Sequence, residues 1–469
     1  RLPNNYNEVM DGALPRDPYG PMLDTLAHIG TETLARRIEM ANEINRREGV
    51  TFSLNPTDGD RILPVDWLPR IIPADHWDTI ERGLKQRITA LNLLCHDVYN
   101  GRQTIVPEEI LATCPYFYPE CIGLRVPHDI YIHVYGPDLL HLGNGKYVVL
   151  EDNTRIPSGV SYAVKYREVT KRVIPELFRP YRIRRIDDYG QVFLRNLHYF
   201  AEGRPHASTP PVMVLLTEGT YNAAYYEHKF LSEQMGLPLV EPSDLYIDDD
   251  LSCRLHTFDG SARVDLIYRR IQDLETFVPS LVRAYAAGQV GLVNAWGTGI
   301  VDDKTVFPYV PALIRHYLGE EPILPNVESY SLAEPAVRRH VLANLGKMVV
   351  KSREGYGGHD MLIGPESTRA EQQAFRDKIL ARPLNYIAQD CVEFSTHLIC
   401  RTSDRSRDGT HGAVSLTDSY VDLRAYVLYG QDITVLPGGI SRVAQPGTHV
   451  VNSSSGGLVK DTWVLEEGF

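Results

Sequence analysis

The run Tyr147-Val-Val-Leu-Glu151-Asp152-Asn153-Thr-Arg155-Ile-Pro-Ser-Gly159 constrains this chain more than any other. Its β-branched and aromatic residues favour a buried strand, which delivers three oxygen-bearing side chains before a Pro-Ser-Gly turn ends it. Residues two apart on a strand share a face, so Glu151 and Asn153 point one way and Asp152 the other. Upstream, Asp138-Leu-Leu-His-Leu-Gly143-Asn144-Gly145-Lys146 contains Asn-Gly, the strongest two-residue hairpin signal. With Asn144 and Gly145 as the turn, Gly143 faces Lys146. Counting outward then sets Asp138 opposite Glu151 and Gly136 opposite Asn153. Two carboxylates opposed at roughly 5 Å repel each other. A divalent cation removes the conflict, and Asp, Glu and an Asn carbonyl are the hard oxygen donors that Mg²⁺ takes. The register therefore predicts a metal site of Asp138, Glu151 and Asn153; a solvated polar strand end would show the same Glu-x-Asn spacing. It also predicts that, without metal, one carboxyl titrates above the ordinary acidic range. On that reading Asp138→Asn leaves the metal-free protein as stable as the parent, or more so.

A second stretch carries phosphate chemistry. In Met348-Val-Val-Lys351-Ser-Arg-Glu-Gly355-Tyr-Gly357-Gly358-His-Asp-Met a strand ends in a lysine and opens into a glycine-rich loop. Backbone N–H groups of such a loop can close over phosphate oxygens, and Lys351 adds a point charge. It is neither a Walker P-loop nor a dinucleotide fingerprint, and a glycine-rich hairpin would look similar. Gly355, Gly357 and Gly358 leave little intrinsic restraint, so Arg353–Asp360 is expected to be mobile until it closes over a nucleotide. Asn294-Ala-Trp-Gly-Thr-Gly-Ile-Val-Asp-Asp303-Lys304 places another lysine after a glycine loop. Tyr386-Ile-Ala-Gln389-Asp-Cys-Val-Glu393 reads as a strand whose backbone could meet an adenine edge. Val421-Asp422-Leu-Arg424-Ala-Tyr-Val-Leu-Tyr429 reads as one strand with an inward acid and arginine.

The remaining chain frames these sites. A length of 469 residues allows about three domains, and 43% apolar with 23% charged residues is ordinary globular composition. A net charge of −12 argues against a nucleic-acid partner while leaving room for a local basic site. The six cysteines form no Cys-x-x-Cys pair, so neither a zinc site nor a redox motif is indicated. No apolar run of transmembrane length and no secretory signal is found, so a cytoplasmic location without a membrane partner is expected. The chain opens at Arg1, not at a methionine.

A helix is expected over Thr31–Arg47. An amphipathic helix follows, with Trp77, Ile80, Leu84, Ile88, Leu91, Cys95 and Val98 on its apolar side and Lys85, Gln86 and Arg87 solvated. Another helical stretch is expected near Val160–Leu177. From Pro211, strands at Val212–Thr217, Gly236–Val240 and Val264–Tyr268 with a helix ending at Met235 suggest a mostly parallel sheet. Arg269 and Arg270 then read either as a surface pair or as an anion site.

The order of lysine, lysine with glycine loop, hinge strand, Asp-x-Arg strand and Asn452-Ser-Ser-Ser-Gly-Gly457 resembles the nucleotide-binding half of ATP-grasp ligases. The Glu-x-Asn metal strand normally closes that fold, and here it comes first. The chain thus resembles a circularly permuted ATP-grasp protein of the glutathionylspermidine synthase-like family, closer to bacterial relatives lacking the amidase domain. The segments 150–162, 443–452 and Lys460-Asp-Thr-Trp463 carry that likeness. It implies an α/β (α+β) ATP-grasp fold with a mostly helical region over 1–130 and the permuted metal strand over 131–180. An α/β substrate domain over 211–345, with Glu227, Arg269 and Arg270, and a nucleotide-binding part over 346–469 complete it.

The resemblance further implies Mg²⁺ on Asp138, Glu151 and Asn153, and ATP on Lys304, Lys351, Gly355, Gly357, Gly358, Gln389 and Asn452. The reaction implied is ATP-dependent joining of a small-molecule or peptide carboxylate to an amine through an acyl phosphate, with Lys304 taking part. One departure is Gly136, where the synthase has an arginine two residues before its metal aspartate; Arg155 or Arg424 are the candidate substitutes. No amidase is implied. A non-catalytic nucleotide-binding partner in a peptide-modifying assembly is the alternative; the metal triad and both lysines favour the ligase, the missing arginine the partner.

Overall fold

The computed structural model describes residues 6–52, 63–204, 207–353, 355, 360–402, 414–445, 451 and 457–468. A six-stranded sheet draws on distant parts of the chain. Its order is Arg70–Ile72, Leu458–Val464, Gly438–Val443, Asp422–Arg424, Asp138–His141, Tyr147–Glu151. Only the first pair is parallel. The permuted order is visible here: the Asp138 hairpin pairs with Asp422–Arg424, and Arg424 lies opposite Asp138 although 286 positions away.

Two further sheets flank the site. One is the expected parallel unit, ordered Gly291–Val293, Leu266–Arg269, Met213–Leu216, Leu239–Val240. The other is antiparallel, ordered Ser329–Ser331, Tyr386–Asp390, Met348–Ser352, Met361–Ile363. With helices Pro335–Ala343 and Arg369–Ala381 this last sheet closes its own small core, including Leu332, Val341, Val350, Leu362 and Ile379. Among the described residues no helix is long and apolar enough to cross a membrane.

The helix Thr31–Arg47 forms as its sequence predicts. The amphipathic pattern becomes Ala74–Tyr99, with Trp77, Ile80, Leu84, Ile88, Leu91 and Cys95 fully buried. Lys85 is half-buried and pairs with Glu81, but Gln86 and Arg87 are buried rather than solvated. Arg87 donates from Nε and Nη2 to the two oxygens of Asp152, both at 2.7 Å, and from Nη1 to Asn326. The helix is packed on both sides, and its polar side meets the back of the metal strand. Asp152, turned away from Glu151 by strand alternation, finds its counter-ion there. Replacing Arg87 by Met leaves that carboxylate buried and unpaired, so the variant should lose about 3–5 kcal/mol of stability. Chemical denaturation reads this directly, and a loss under about 1 kcal/mol would mean the pair holds nothing in place.

The hairpin differs from the counted one in an instructive way. Leu142 N–H donates to Lys146 O, and Gly143, Asn144 and Gly145 all have positive φ, so the loop has three residues instead of two. The register is shifted accordingly, with His141 opposite Tyr147 and Leu139 opposite Val149. A bulge at Leu150 then takes up the extra residue and restores Asp138 opposite Glu151. Beyond it Gly136 N–H donates to Asn153 O at 2.9 Å, as counted.

The single strand expected over Val421–Tyr429 is two strands, Asp422–Arg424 and Val427–Tyr429, in different sheets. Their partners, Asp138–His141 and Val134–Tyr135, part at Gly136-Pro137, where Pro137 has no N–H to carry the ladder on. The Lys460–Trp463 segment is structural: Lys460 Nζ is buried within 2.8 Å of Asp66 Oδ2, His397 Nδ1 and Leu398 O.

Candidate nucleotide and metal site

Glu151, Lys304, Lys351, Ile387 and Gln389 line one cleft between the hairpin and the small antiparallel sheet. Lys304 Nζ lies 2.8 Å from Glu151 Oε1 and donates to Gly355 O at 2.8 Å, so it ties the metal strand to the base of the glycine loop. Burial works against its charge, but Glu151 outweighs burial and holds the ammonium above its ordinary range. Glu151 suffers the same desolvation, and Lys304 and Lys351 hold it below the usual carboxylate range. The Lys351 side chain is half-buried and, among the described residues, makes no hydrogen bond or contact ion pair. Burial pulls it down, and Lys304 adds to this against the attraction of Glu151.

Asp138 is not strained against Glu151. Its carboxylate receives Arg424 through Nε and Nη2, the latter at 2.8 Å, and Arg442 through Nη2 at 2.8 Å. Burial would raise its pKa, but the two guanidiniums bring it down to about 2. The expected raised titration is therefore overturned, because cations from a neighbouring strand pair separate the two carboxylates electrostatically. Arg442 is also held by Asp422, with Nε at 3.0 Å from Oδ2 and its backbone N–H at 3.2 Å from Oδ1.

Asn153 Nδ2 donates to Gly136 O at 3.0 Å, which commits the amide nitrogen and leaves Oδ1 as its ligand atom. At Gly136 a Cβ would stand 2.7 Å from Pro157 Cβ and 3.3 Å from Arg424 Cδ. Arg424 thus fills the space that a side chain at 136 would need. Arg155 is engaged away from the metal residues: its Nε donates to Asp302 at 2.5 Å, its guanidinium lies over Tyr116, and Nη1 is buried with no partner among the described residues.

Gln389 contributes its side chain where its backbone cannot. The strand Tyr386–Asp390 is hydrogen-bonded on both edges, by Ser329–Ser331 and Met348–Ser352, so unpaired backbone begins only after Asp390. Gln389 Nε2 donates to Ser329 Oγ at 3.0 Å and to Leu150 O, the bulge carbonyl, at 3.3 Å; its Oε1 is buried and has no partner among the described residues. Gly357, Gly358 and Asn452 lie outside the described residues. Arg353 is not the start of a free loop: its buried guanidinium holds Asp303, Thr113, Ile110 and Thr305.

The glycine loop before Lys304 is stapled in place by Asn294. Asn294 Oδ1 accepts from His133 and Val134 N–H, and its Nδ2 donates to Val134 O and Thr154 O. It thereby fixes the irregular segment that follows Asn153. Arg269 and Arg270 are buried, not on the surface. Arg270 holds Ser158, Pro157 O and Glu227, while Glu227 accepts from the N–H groups of Gly159 and Ser161. Both side chains are therefore spent on the Pro-Ser-Gly turn. Arg269 is different: among the described residues it donates only to carbonyls, Asn294 O and Ile271 O, and burial lowers its pKa to about 10.

Sequence reasoning missed Arg442 and Asp422 as partners of the metal aspartate. The only signal was position, since Arg442 directly precedes the Val443-Ala segment. The donors fit a divalent cation in kind: two carboxylates and an amide oxygen are hard ligands. Among the described residues no cluster of three or more His, Cys, Asp or Glu exists, so further ligands would come from phosphate and water.

The architecture is an ATP-grasp fold. It matches a solved glutathione synthetase-like effector of Globodera pallida over 93% of this chain and 98% of that one, with a TM-score of 0.62 and 12% identity. The chain belongs to the circularly permuted ATP-grasp type 2 family, whose model matches residues 69–444. An uncharacterized protein of Synechocystis sp. is 41% identical over 99% of this chain and 97% of its own length. A Mycobacterium tuberculosis protein, also uncharacterized, is 39% identical over 98% of this chain and 84% of its own. A Frankia alni protein named provisionally as a glutamate–cysteine ligase is 40% identical over 98% of this chain, which spans only 54% of it.

Proposed function

We propose that the protein is an ADP-forming carboxylate–amine ligase of glutathionylspermidine synthase-like chemistry, using Mg²⁺ and ATP. One observation carries this reading: the Lys351 side chain stands on the strand Met348–Ser352 in the cleft with Glu151 and Lys304, with no hydrogen bond or contact ion pair of its own among the described residues. A cation desolvated without a partner is costly, and an anionic ligand removes that cost. The ligase name of the Frankia relative agrees in reaction class, but it belongs to a chain nearly twice as long and does not transfer substrates to this one.

In this reading the substrate carboxylate attacks the γ-phosphorus and ADP leaves. The amine then attacks the acyl carbon, phosphate leaves, and the amine's proton passes to solvent. Negative charge gathers on the γ-phosphoryl oxygens in the first step, and Lys351, Lys304 and Arg424 are the cations placed to meet it. Metal bound at Asp138, Glu151 and Asn153 would supply further charge compensation at the same oxygens. Gln389 Oε1, without a partner among the described residues, is the proposed acceptor for an adenine amino group, and Gly355, Gly357, Gly358 and Asn452 are the proposed phosphate-binding residues. Arg269, without a carboxylate partner among the described residues, and Arg155, whose Nη1 has no partner among them, are the proposed anchors for the substrate carboxylate. Arg424 packed over Gly136 takes away the observation that favoured a non-catalytic partner.

An ADP-release assay against pooled amino acids, short peptides and polyamines tests this. Turnover stimulated by a carboxylate and an amine together is expected. Tight ATP binding with no stimulated turnover in any pool would instead establish the non-catalytic partner.

A further inference from the structure

Every carboxylate proposed to hold metal here is already neutralised by the chain itself. Lys304 sits on Glu151, and Arg424 and Arg442 sit on Asp138. The three cations differ in what they would retain if a metal ion took the carboxylates. Arg442 would keep Asp422, a second and fully buried acid that is not in the metal set. Arg424 has Asp138 as its only carboxylate partner among the described residues, and Lys304 would keep only the carbonyl of Gly355. Metal alone would therefore strand two cations in a partly desolvated cleft. Nucleotide alone would draw Lys304 away and strand Glu151. Metal and phosphate together strand neither, because each leaving cation finds a phosphate oxygen as the metal takes its place.

We propose that this site admits metal and nucleotide only together: Lys304, Arg424 and Arg442 hold the metal-ligand carboxylates until phosphate oxygens draw Lys304 and Arg424 away. The proposal rests on Asp138, Glu151 and Asn153 being the metal residues, and it adds the order in which the site fills. It also gives Asp422 a role, that of retaining Arg442 during the exchange. By linkage, whatever factor nucleotide adds to metal affinity, metal must add to nucleotide affinity.

Lys304 offers the clearest test, because it and Glu151 are the more accessible pair, at 16% and 27% side-chain exposure against 2% for Asp138. Mn²⁺ binding to the full chain is measured by electron paramagnetic resonance without nucleotide, in the parent and in Lys304→Met. Relief of the self-pairing should tighten Mn²⁺ binding at least tenfold in the variant, while the variant's affinity for a non-hydrolysable ATP analogue falls. A structural defect would weaken both, so the opposite signs are diagnostic. Lys304→Gln serves if the Met variant does not fold, as judged by circular dichroism. Equal or weaker Mn²⁺ binding in a folded variant would overturn the proposal while leaving the metal site standing. Absence of Mn²⁺ binding in every protein, even with the analogue present, would overturn both.

Discussion

Lys351→Met should lower ATP affinity about 10- to 100-fold, the largest effect on nucleotide binding of any single change in the cleft. The figure follows from losing a charge-assisted contact worth about 1.5–3 kcal/mol, with every 1.4 kcal/mol a factor of ten. Lys304→Met should cost less, although it is nearer the hairpin. Lys304 must leave Glu151 before it can meet phosphate, so its contact with nucleotide replaces an ion pair it already makes. Lys351 has no such pair to give up among the described residues. Calorimetry on both variants decides the ranking. Parent-like affinity in Lys351→Met would sink the nucleotide assignment of this cleft.

Asp138→Asn should destabilise the metal-free protein by about 3 kcal/mol, the opposite of what the opposed-carboxylate count predicts. Removing one member of a buried ion pair typically costs about 3–5 kcal/mol. The lower end applies because Arg442 retains Asp422, whereas Arg424 is left without a carboxylate. The pH dependence follows from the direction of the shift. Asp138 is depressed from 3.8 to about 2, so its contribution is complete above 3.8 and fades as pH falls toward 2. Denaturation of parent and variant should therefore differ by a constant amount through neutral and mildly acidic pH and converge only near pH 2. A variant as stable as the parent at pH 7 would restore the picture of two repelling carboxylates.

The contrast between these residues shows what local pattern can carry. Periodicity located the helix Thr31–Arg47 and the buried side of Ala74–Tyr99 because each depends on neighbours three and four positions away. The facing of Asp138 and Glu151 was also legible, but through two features that compensate: a loop one residue longer than counted and a bulge at Leu150. Neither leaves a clear mark in the sequence, since Gly-Asn-Gly serves a two- or a three-residue loop equally well.

Ion pairing was not legible at all. Asp138 is met by Arg424 from 286 positions away, and Asp152 by Arg87 from 65 positions earlier. A polar residue is buried when a distant partner satisfies it, so Gln86 and Arg87 read as solvated, and Arg269 and Arg270 as a surface pair or an anion site, until the fold supplied their partners. The Asn294 loop shows the same limit: Gly297 and Gly299 pack closely against Tyr99 and Tyr116, a contact that the glycine pattern before Lys304 does not announce.

The central claim is that a carboxylate is activated as an acyl phosphate in this cleft, and positional isotope exchange tests it most directly. ATP carrying ¹⁸O in the β–γ bridge is incubated with the full chain, metal and pooled carboxylates, with amine left out. Reversible transfer of the γ-phosphoryl group to a carboxylate lets the β-phosphate rotate and scrambles the label into non-bridging positions. The account predicts scrambling that requires the carboxylate pool and is lost in Lys351→Met. ATP consumed at the same rate with and without carboxylate, its label unscrambled, would contradict it.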